Sequence, residues 1–183
     1  MMAYAAVLLT TTGLQAADQN EKTVFVTKAS FESNMGGLSG ADTKCQAEAD
    51  DPESIVPSGT YMAWLSDGTN SPDTRFTKSS HPYVLPNGTR IADDYNDLTD
   101  GNIQNIINVD SSGKTIGQQN FWSSTAADGT SEQNFVTCKG WTWTNTSGYS
   151  HSMLGITNKK STLWTSYGRE KCGKNYRLVC FQQ

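Results

Sequence analysis

Met35-Gly36-Gly37-Leu38-Ser39-Gly40-Ala41-Asp42-Thr43-Lys44-Cys45-Gln46-Ala47-Glu48-Ala49 is the stretch around which the rest of the chain organises. Ser39 is a good helix N-cap with Asp42 three positions later, and Ala41, Cys45 and Ala49 recur at i, i+4 and i+8 on one helical face. The pattern predicts a short helix that ends near Asp51-Pro52 and turns Cys45 inward. The other cysteines are Cys138, Cys172 and Cys180, and the even set of 4 admits three complete pairings among which spacing does not choose. A zinc site would show close Cys-x-x-Cys or Cys/His pairs, whereas Cys172 and Cys180 stand eight apart and the histidines are His81 and His151. Disulfides are the expectation.

Upstream of the helix, Thr23-Val24-Phe25-Val26-Thr27 alternates polar and apolar residues in the manner of a half-buried strand. Before it, Ala3-Tyr4-Ala5-Ala6-Val7-Leu8-Leu9 is an apolar run, and Leu14-Gln15-Ala16 ahead of Ala17-Asp18 resembles a signal-peptidase site. No Lys or Arg precedes the run, which also falls short of the roughly 20 apolar residues that span a bilayer. Residues 1–17 are read as a signal peptide and 18–183 as a single domain, placing the protein outside the cell or at its surface, with periplasmic or outer-membrane association as variants.

Downstream, Tyr61-Met62-Ala63-Trp64-Leu65 reads as a second strand closed by Ser66-Asp67-Gly68. The stretch from Gly68 to Gly117 is mostly punctuation and is expected to bury little apolar surface; its one regular feature is a hairpin around Pro86-Asn87-Gly88, flanked by Tyr83-Val84-Leu85 and Arg90-Ile91-Ala92. Strand-like runs return at Asn120–Ser123, Phe135–Cys138, Leu163–Thr165 and Tyr176–Phe181. With 17% charged and 36% hydrophobic residues, the composition is that of a loop-rich globular chain rather than a helical bundle or a disordered tail. One early helix, a loop-dominated middle and several late strands predict an α+β domain around a mixed, mostly antiparallel sheet.

Val24-Phe25-Val26-Thr27, Gly36-Gly37-Leu38-Ser39-Gly40-Ala41-Asp42-x-x-Cys45-Gln46, Ala63-Trp64-Leu65-Ser66-Asp67, Asp97-Leu98-Thr99-Asp100-Gly101 and the ending Cys172-x4-Arg177-Leu178-x-Cys180-Phe181 together resemble the leptospiral endostatin-like outer-membrane proteins and their bacterial relatives. The resemblance runs from about Thr23 to Phe181 and is specific in combination rather than in any one motif. It implies a C-type-lectin-like (endostatin-like) fold with two nested disulfides, Cys45 with Cys180 and Cys138 with Cys172. A bridge from the early helix to the last strand would tie the termini together. By loop entropy it would contribute on the order of 5 kcal/mol and the inner bridge about 4 kcal/mol. In function the resemblance implies an adhesin that binds extracellular matrix or host-surface proteins, including laminin, fibronectin or complement regulators.

Calcium-dependent sugar binding in C-type lectins needs oxygen-rich triplets converging on one cation. Of the nearest stretches here, Leu85-Pro86-Asn87 lacks the carboxylate and Trp164-Thr165-Ser166 lacks both oxygen-rich side chains. The acidic run containing Asp93, Asp94, Asn96, Asp97 and Asp100 is a weak calcium candidate whose plainer reading is a set of Asx turns and helix caps. No cofactor motif is present. Up to Asp110 the chain holds 15 acidic and 6 basic residues, and from Ser111 onward 3 acidic and 8 basic, so the net of −4 divides into −9 and +5.

Lys159, Lys160, Arg169, Lys171, Lys174 and Arg177 are the candidate contacts for an acidic protein surface or, alternatively, a sulfated glycan. Among the late aromatics, Trp141 and Trp143 share a strand face by spacing and are expected in the core, whereas Tyr149, His151 and Met153 in a Gly/Ser-rich loop are candidate ligand contacts. An acidic pI near 5.1 and export argue against nucleic acid. No nucleophile motif is visible, and two histidines offer few general bases. The sequence therefore points to binding rather than catalysis.

Overall fold

The computed structural model describes residues 20–133, 137–144 and 151–183. The expected signal peptide, Phe135, Val136 and Tyr149 lie outside the described residues. In chain order, the elements that carry the argument begin with β1 (Lys22–Val26), β2 (Phe31–Glu32), α1 (Gly37–Ala49), β3 (Tyr61–Ala63) and α2 (Pro72–Arg75). They continue with β4 (Tyr83–Val84), β5 (Arg90–Ala92), α3 (Tyr95–Leu98), β6 (Asn120–Trp122) and β7 (His151–Ile156). The last three are β8 (Gly168–Lys171), β9 (Asn175–Tyr176) and β10 (Val179–Gln182). The architecture is α+β with mostly antiparallel sheets: a five-stranded sheet of order β3-β10-β1-β4-β5, a three-stranded sheet β6-β7-β8 and the pair β2-β9. Among the described strands of the largest sheet, β1 and β4 run parallel and the other neighbours antiparallel.

β1 and β10 pair antiparallel with Val24 opposite Phe181, Phe25 opposite Cys180 and Val26 opposite Val179. Because side chains alternate along a strand, this register divides the interior in two. Val24, Val26, Val179 and Phe181 face one cluster, where Trp64, Phe76, Tyr83 and Trp164 gather. Phe25, Cys180, Tyr61 and Ala63 face the other, beneath α1 and against Trp122 and Trp141. β1 is therefore buried on both faces, not half-buried as its alternation predicts, and even Thr23 and Thr27 are covered.

The middle of the chain also departs from expectation. Phe76, Leu85, Ile91, Tyr95, Leu98, Ile103, Ile107 and Val109 all enter the first cluster, so the loop-rich stretch builds much of one core. Its apolar residues dock one at a time from short turns, leaving no period in the sequence to read.

α1 starts earlier than Ser39. Gly36 adopts φ 84°, a left-handed conformation that favours glycine, and lets the chain turn directly into the helix. Ser39 thus lies inside α1, where its carbonyl accepts from Thr43 Oγ1. Asp42 makes no capping box; its Oδ1 accepts from the Ala63 amide at 2.9 Å, and Gln46 Oε1 accepts from the Tyr61 amide at 2.9 Å. One turn apart on α1, these two side chains satisfy outward N–H groups of the edge strand β3, and Asp42 also pairs with Arg75. Ala41 and Cys45 are buried as the helical face predicts, and Ala49 packs at the margin of the second cluster. The disulfides are Cys45–Cys180 and Cys138–Cys172.

Four late expectations are corrected. Leu163 and Trp164 belong to a 3₁₀ turn at Thr162–Trp164 rather than a strand, because Trp164 turns into the core while Leu163 stays outside. The strand expected at Phe135–Cys138 is not formed by its described residues, Thr137 and Cys138, which open a turn over Thr137–Trp141. Its residues are left-handed, with φ of 40°, 47°, 54°, 63° and 66° in order. The turn is pinned by the Cys138 bridge, by Thr137 Oγ1 donating to Asp67 O at 2.8 Å and by Trp141 Nε1 donating to Ser66 O at 2.8 Å. Trp141 is buried as expected, but Trp143 is half-buried with the Lys139 ammonium 3.1 Å from its ring centroid. His151 and Met153 lie in β7, not in a loop. A β-carbon at Gly40 would stand 1.8 Å from the Met35 carbonyl oxygen. We expect Gly40→Ala to destabilise the fold by about 1–3 kcal/mol, measured as a lower urea midpoint. An unchanged midpoint would contradict this close approach.

Candidate binding surface

β7 and β8 form a ribbon whose register sets His151 opposite Lys171, Ser152 opposite Glu170, Met153 opposite Arg169 and Leu154 opposite Gly168. Alternation puts Ser152 and Leu154 on the buried side, leaving His151 and Met153 half-exposed beside the exposed Arg169 and Lys171. Four residues singled out in sequence from two separate stretches thus share one outer face. Lys174, in the turn that follows β8, is exposed and close enough to Glu170 to act on its charge.

The floor beneath this face is polar but satisfied. Ser152 Oγ and Ser124 Oγ lie 2.9 Å apart, and Ser124 Oγ also accepts from the Met153 amide at 3.1 Å. Ser123 Oγ meets Thr165 Oγ1 at 2.8 Å, Thr165 Oγ1 accepts from Trp64 Nε1 at 2.7 Å, and Ser66 Oγ meets Thr125 Oγ1 at 2.8 Å. These buried hydroxyls lock the ribbon to the core through directional bonds rather than through apolar packing alone. Glycine is needed at the close contact: a β-carbon on Gly155 would stand 2.2 Å from Phe121 Cζ and 2.4 Å from the Trp164 carbonyl oxygen.

Glu170 tunes the charge of the ribbon. Its carboxylate accepts from the Lys171 amide at 2.8 Å and from the Tyr176 hydroxyl at 3.0 Å. The Lys171 backbone bond is the main cause holding the Glu170 carboxyl below its ordinary value, aided by Tyr176, Lys174 and His151 against the opposing effect of burial. Burial, reinforced by the bond to Glu170, pushes the Tyr176 phenol up to about 12.

The other basic candidates are not gathered there. Lys159 and Lys160 lie beyond the far end of β7, roughly 17 Å along the strand from His151. Lys160 Nζ donates to the Gln104 carbonyl at 3.2 Å. Arg177 is a structural tie, its guanidinium donating to the Thr27 carbonyl and, at 2.7 Å, to the Lys28 carbonyl.

The acidic run is occupied with its own backbone. Asp94 Oδ1 accepts from the Asp97 amide at 2.9 Å, Asp97 Oδ2 from the Asp93 amide at 2.7 Å, and Asp100 Oδ1 from the Asn102 amide at 2.9 Å. Asp93 also accepts from Arg90 at 2.9 Å, while Asn96 is exposed in α3. Among the described residues, no three His, Cys, Asp or Glu side chains are grouped to hold a metal ion.

Sequence reasoning missed a hollow of about 300 Å³ lined by Ser30, Gln118, Gln119, Asn120, Asn175 and Tyr176. Its walls come from three distant stretches, brought together by the pairing of β2 with β9 and by the approach of β6 to β9, where the Trp122 amide donates to the Arg177 carbonyl at 3.0 Å.

No protein-family model matches the chain, and no curated protein matches it significantly.

The sign of the Glu170 shift fixes a pH window. With the folded-state value depressed below 4.5, the stabilisation that Glu170 contributes is present above that pH and is lost as pH falls through the folded value. The melting temperature of Glu170→Gln should therefore fall less steeply than that of the parent as pH drops from about 5 to about 3. Parallel curves would show that Glu170 carries no such linkage.

Proposed function

We propose that this chain is an extracellular binding domain of the C-type-lectin-like type, an adhesin module that engages an acidic region of a matrix or host-surface protein. The observation that carries the reading is the β7–β8 register, which sets the cations Arg169 and Lys171 beside His151 and Met153 on one outer face. Lys174 extends the positive strip, while Met153 adds an adaptable apolar contact among the charges. A rigid face of this kind recognises a partner by electrostatic complementarity, which speeds encounter and fixes register.

Several features support the fold assignment and the setting. The bridges are nested, first cysteine to fourth and second to third, and the terminal strands β1 and β10 are paired. The helix α1 packs against β3 and β10, beside that pair. Two disulfides fit an oxidising compartment, and among the described residues no helix is long and apolar enough to cross a membrane. The reading is of binding rather than catalysis because the gathered groups are cations and a thioether on an open face.

The test is attachment to immobilised laminin and fibronectin at about 0.15 M salt, where screening acts over about 8 Å. The triple substitution Arg169→Ser, Lys171→Ser, Lys174→Ser should weaken attachment several-fold, with the melting temperature nearly unchanged because exposed charges contribute little to stability. The pair Lys159→Ser, Lys160→Ser should leave attachment intact. Equal attachment by parent and triple variant would refute the assignment of the ribbon face. Loss of heparin binding alone would reassign it to a sulfated glycan.

A further inference from the structure

We propose a second binding site: the hollow between β2, β9 and the start of β6 takes one neutral pyranose ring, without calcium. It is separate from the ribbon face, none of whose cations lines it, and does not depend on the function proposed for that face.

The chemistry of the walls selects the ligand class. Gln118, Gln119, Asn120 and Asn175 bring four carboxamides, each with two donor hydrogens and an acceptor oxygen, and Ser30 adds a hydroxyl. Adjacent hydroxyls of a sugar need donors and acceptors side by side, which carboxamides provide. Among the described residues no charged side chain lines the hollow, so a charged ligand would surrender hydration there without gaining an ion pair. At about 300 Å³ the space lies at the low end for small-molecule sites and suits one ring rather than a long chain.

The walls are fixed while their polar ends remain available. The Gln119 backbone is held on both sides by Thr157, whose Oγ1 accepts from the Gln119 amide at 2.9 Å and whose amide donates to the Gln119 carbonyl at 2.9 Å. Asn175 and Tyr176 are fixed by pairing with Glu32 and Phe31. Tyr176 is braced edge-on against Trp122, with centroids 5.0 Å apart, and its hydroxyl is held by Glu170. Gln118 accepts from the Asn158 carboxamide, whose own Oδ1 is buried without a partner. Among the described residues, the side chains of Ser30, Gln119, Asn120 and Asn175 make no hydrogen bond within the chain, so a ligand would not displace internal partners.

The experiment titrates the full chain with the methyl glycosides of glucose, galactose, mannose and N-acetylglucosamine, following side-chain carboxamide resonances by NMR. At least one glycoside should shift the signals of Gln119, Asn120 and Asn175 saturably. EDTA or about 0.5 M salt should leave that response unchanged, because no metal or charge pairing is involved. The double substitution Asn120→Ala, Asn175→Ala should weaken binding about tenfold with an unchanged melting temperature. The triple ribbon variant should bind the glycoside like the parent, separating this site from the other. Titration with the disaccharide carrying the responding sugar at its non-reducing end distinguishes a free sugar, bound equally well, from a chain end, bound more tightly. The proposal is overturned if none of the four glycosides gives a saturable shift at these carboxamides, or if the double variant binds as the parent does.

Discussion

The antiparallel pairing of the first and last strands is the constraint on which the rest of this structure depends. β1 and β10 are neighbours at the centre of the five-stranded sheet, and Cys45–Cys180 fastens α1 to the same place. Because Phe25 and Cys180 point to one side while Val24, Val26, Val179 and Phe181 point to the other, the pair is the shared wall of two apolar clusters. Removing it would expose both clusters together. The outer bridge closes 135 residues of chain across this wall, where loop entropy favours a cross-link.

The ribbon face follows from that arrangement at one remove. Trp122 in β6 packs in the second cluster and meets Trp141 with centroids 5.5 Å apart, so β6 is seated on the central wall. β7 pairs with β6, and β8 with β7, which carries the cations outward from a fixed base. The second bridge joins the left-handed turn at Cys138 to Cys172, the residue after β8, and holds that turn beside β7. Left-handed backbone is unfavourable by roughly 1–2 kcal/mol per non-glycine residue, so the turn needs its bridge and side-chain bonds to persist. The aromatic core, the hydroxyl floor and the inner disulfide thus act together to present a short charged strip in one register.

What the sequence made legible was local and periodic. The inward face of α1 could be read from Ala41 and Cys45, the hairpin from Asn87-Gly88, and β1 and β10 from their β-branched and aromatic runs. The start of α1 was not legible as a capping signal, because Gly36 turns the chain in and Asp42 is drawn to the edge of β3. β7 was hidden because Ser152 looks like a loop residue until Ser124 is brought to it as a buried partner. The basic residues were visible, but their division into a ribbon cluster, a distant Lys159–Lys160 pair and a structural Arg177 depends on register and on backbone carbonyls far away in sequence. The carboxamide hollow carries no motif at all, since Ser30, Gln118 and Asn175 meet only through tertiary pairing.

Native-state hydrogen exchange tests the shared-wall account most directly, because amides that open only with the whole fold report its global stability. The account predicts one common opening free energy for protected amides of Val24 to Val26 in β1, Val179 to Phe181 in β10, Ile103 in the first cluster and Trp122 in the second. Independent opening of the Trp122 side, with the Ile103 side still protected at the global value, would contradict it.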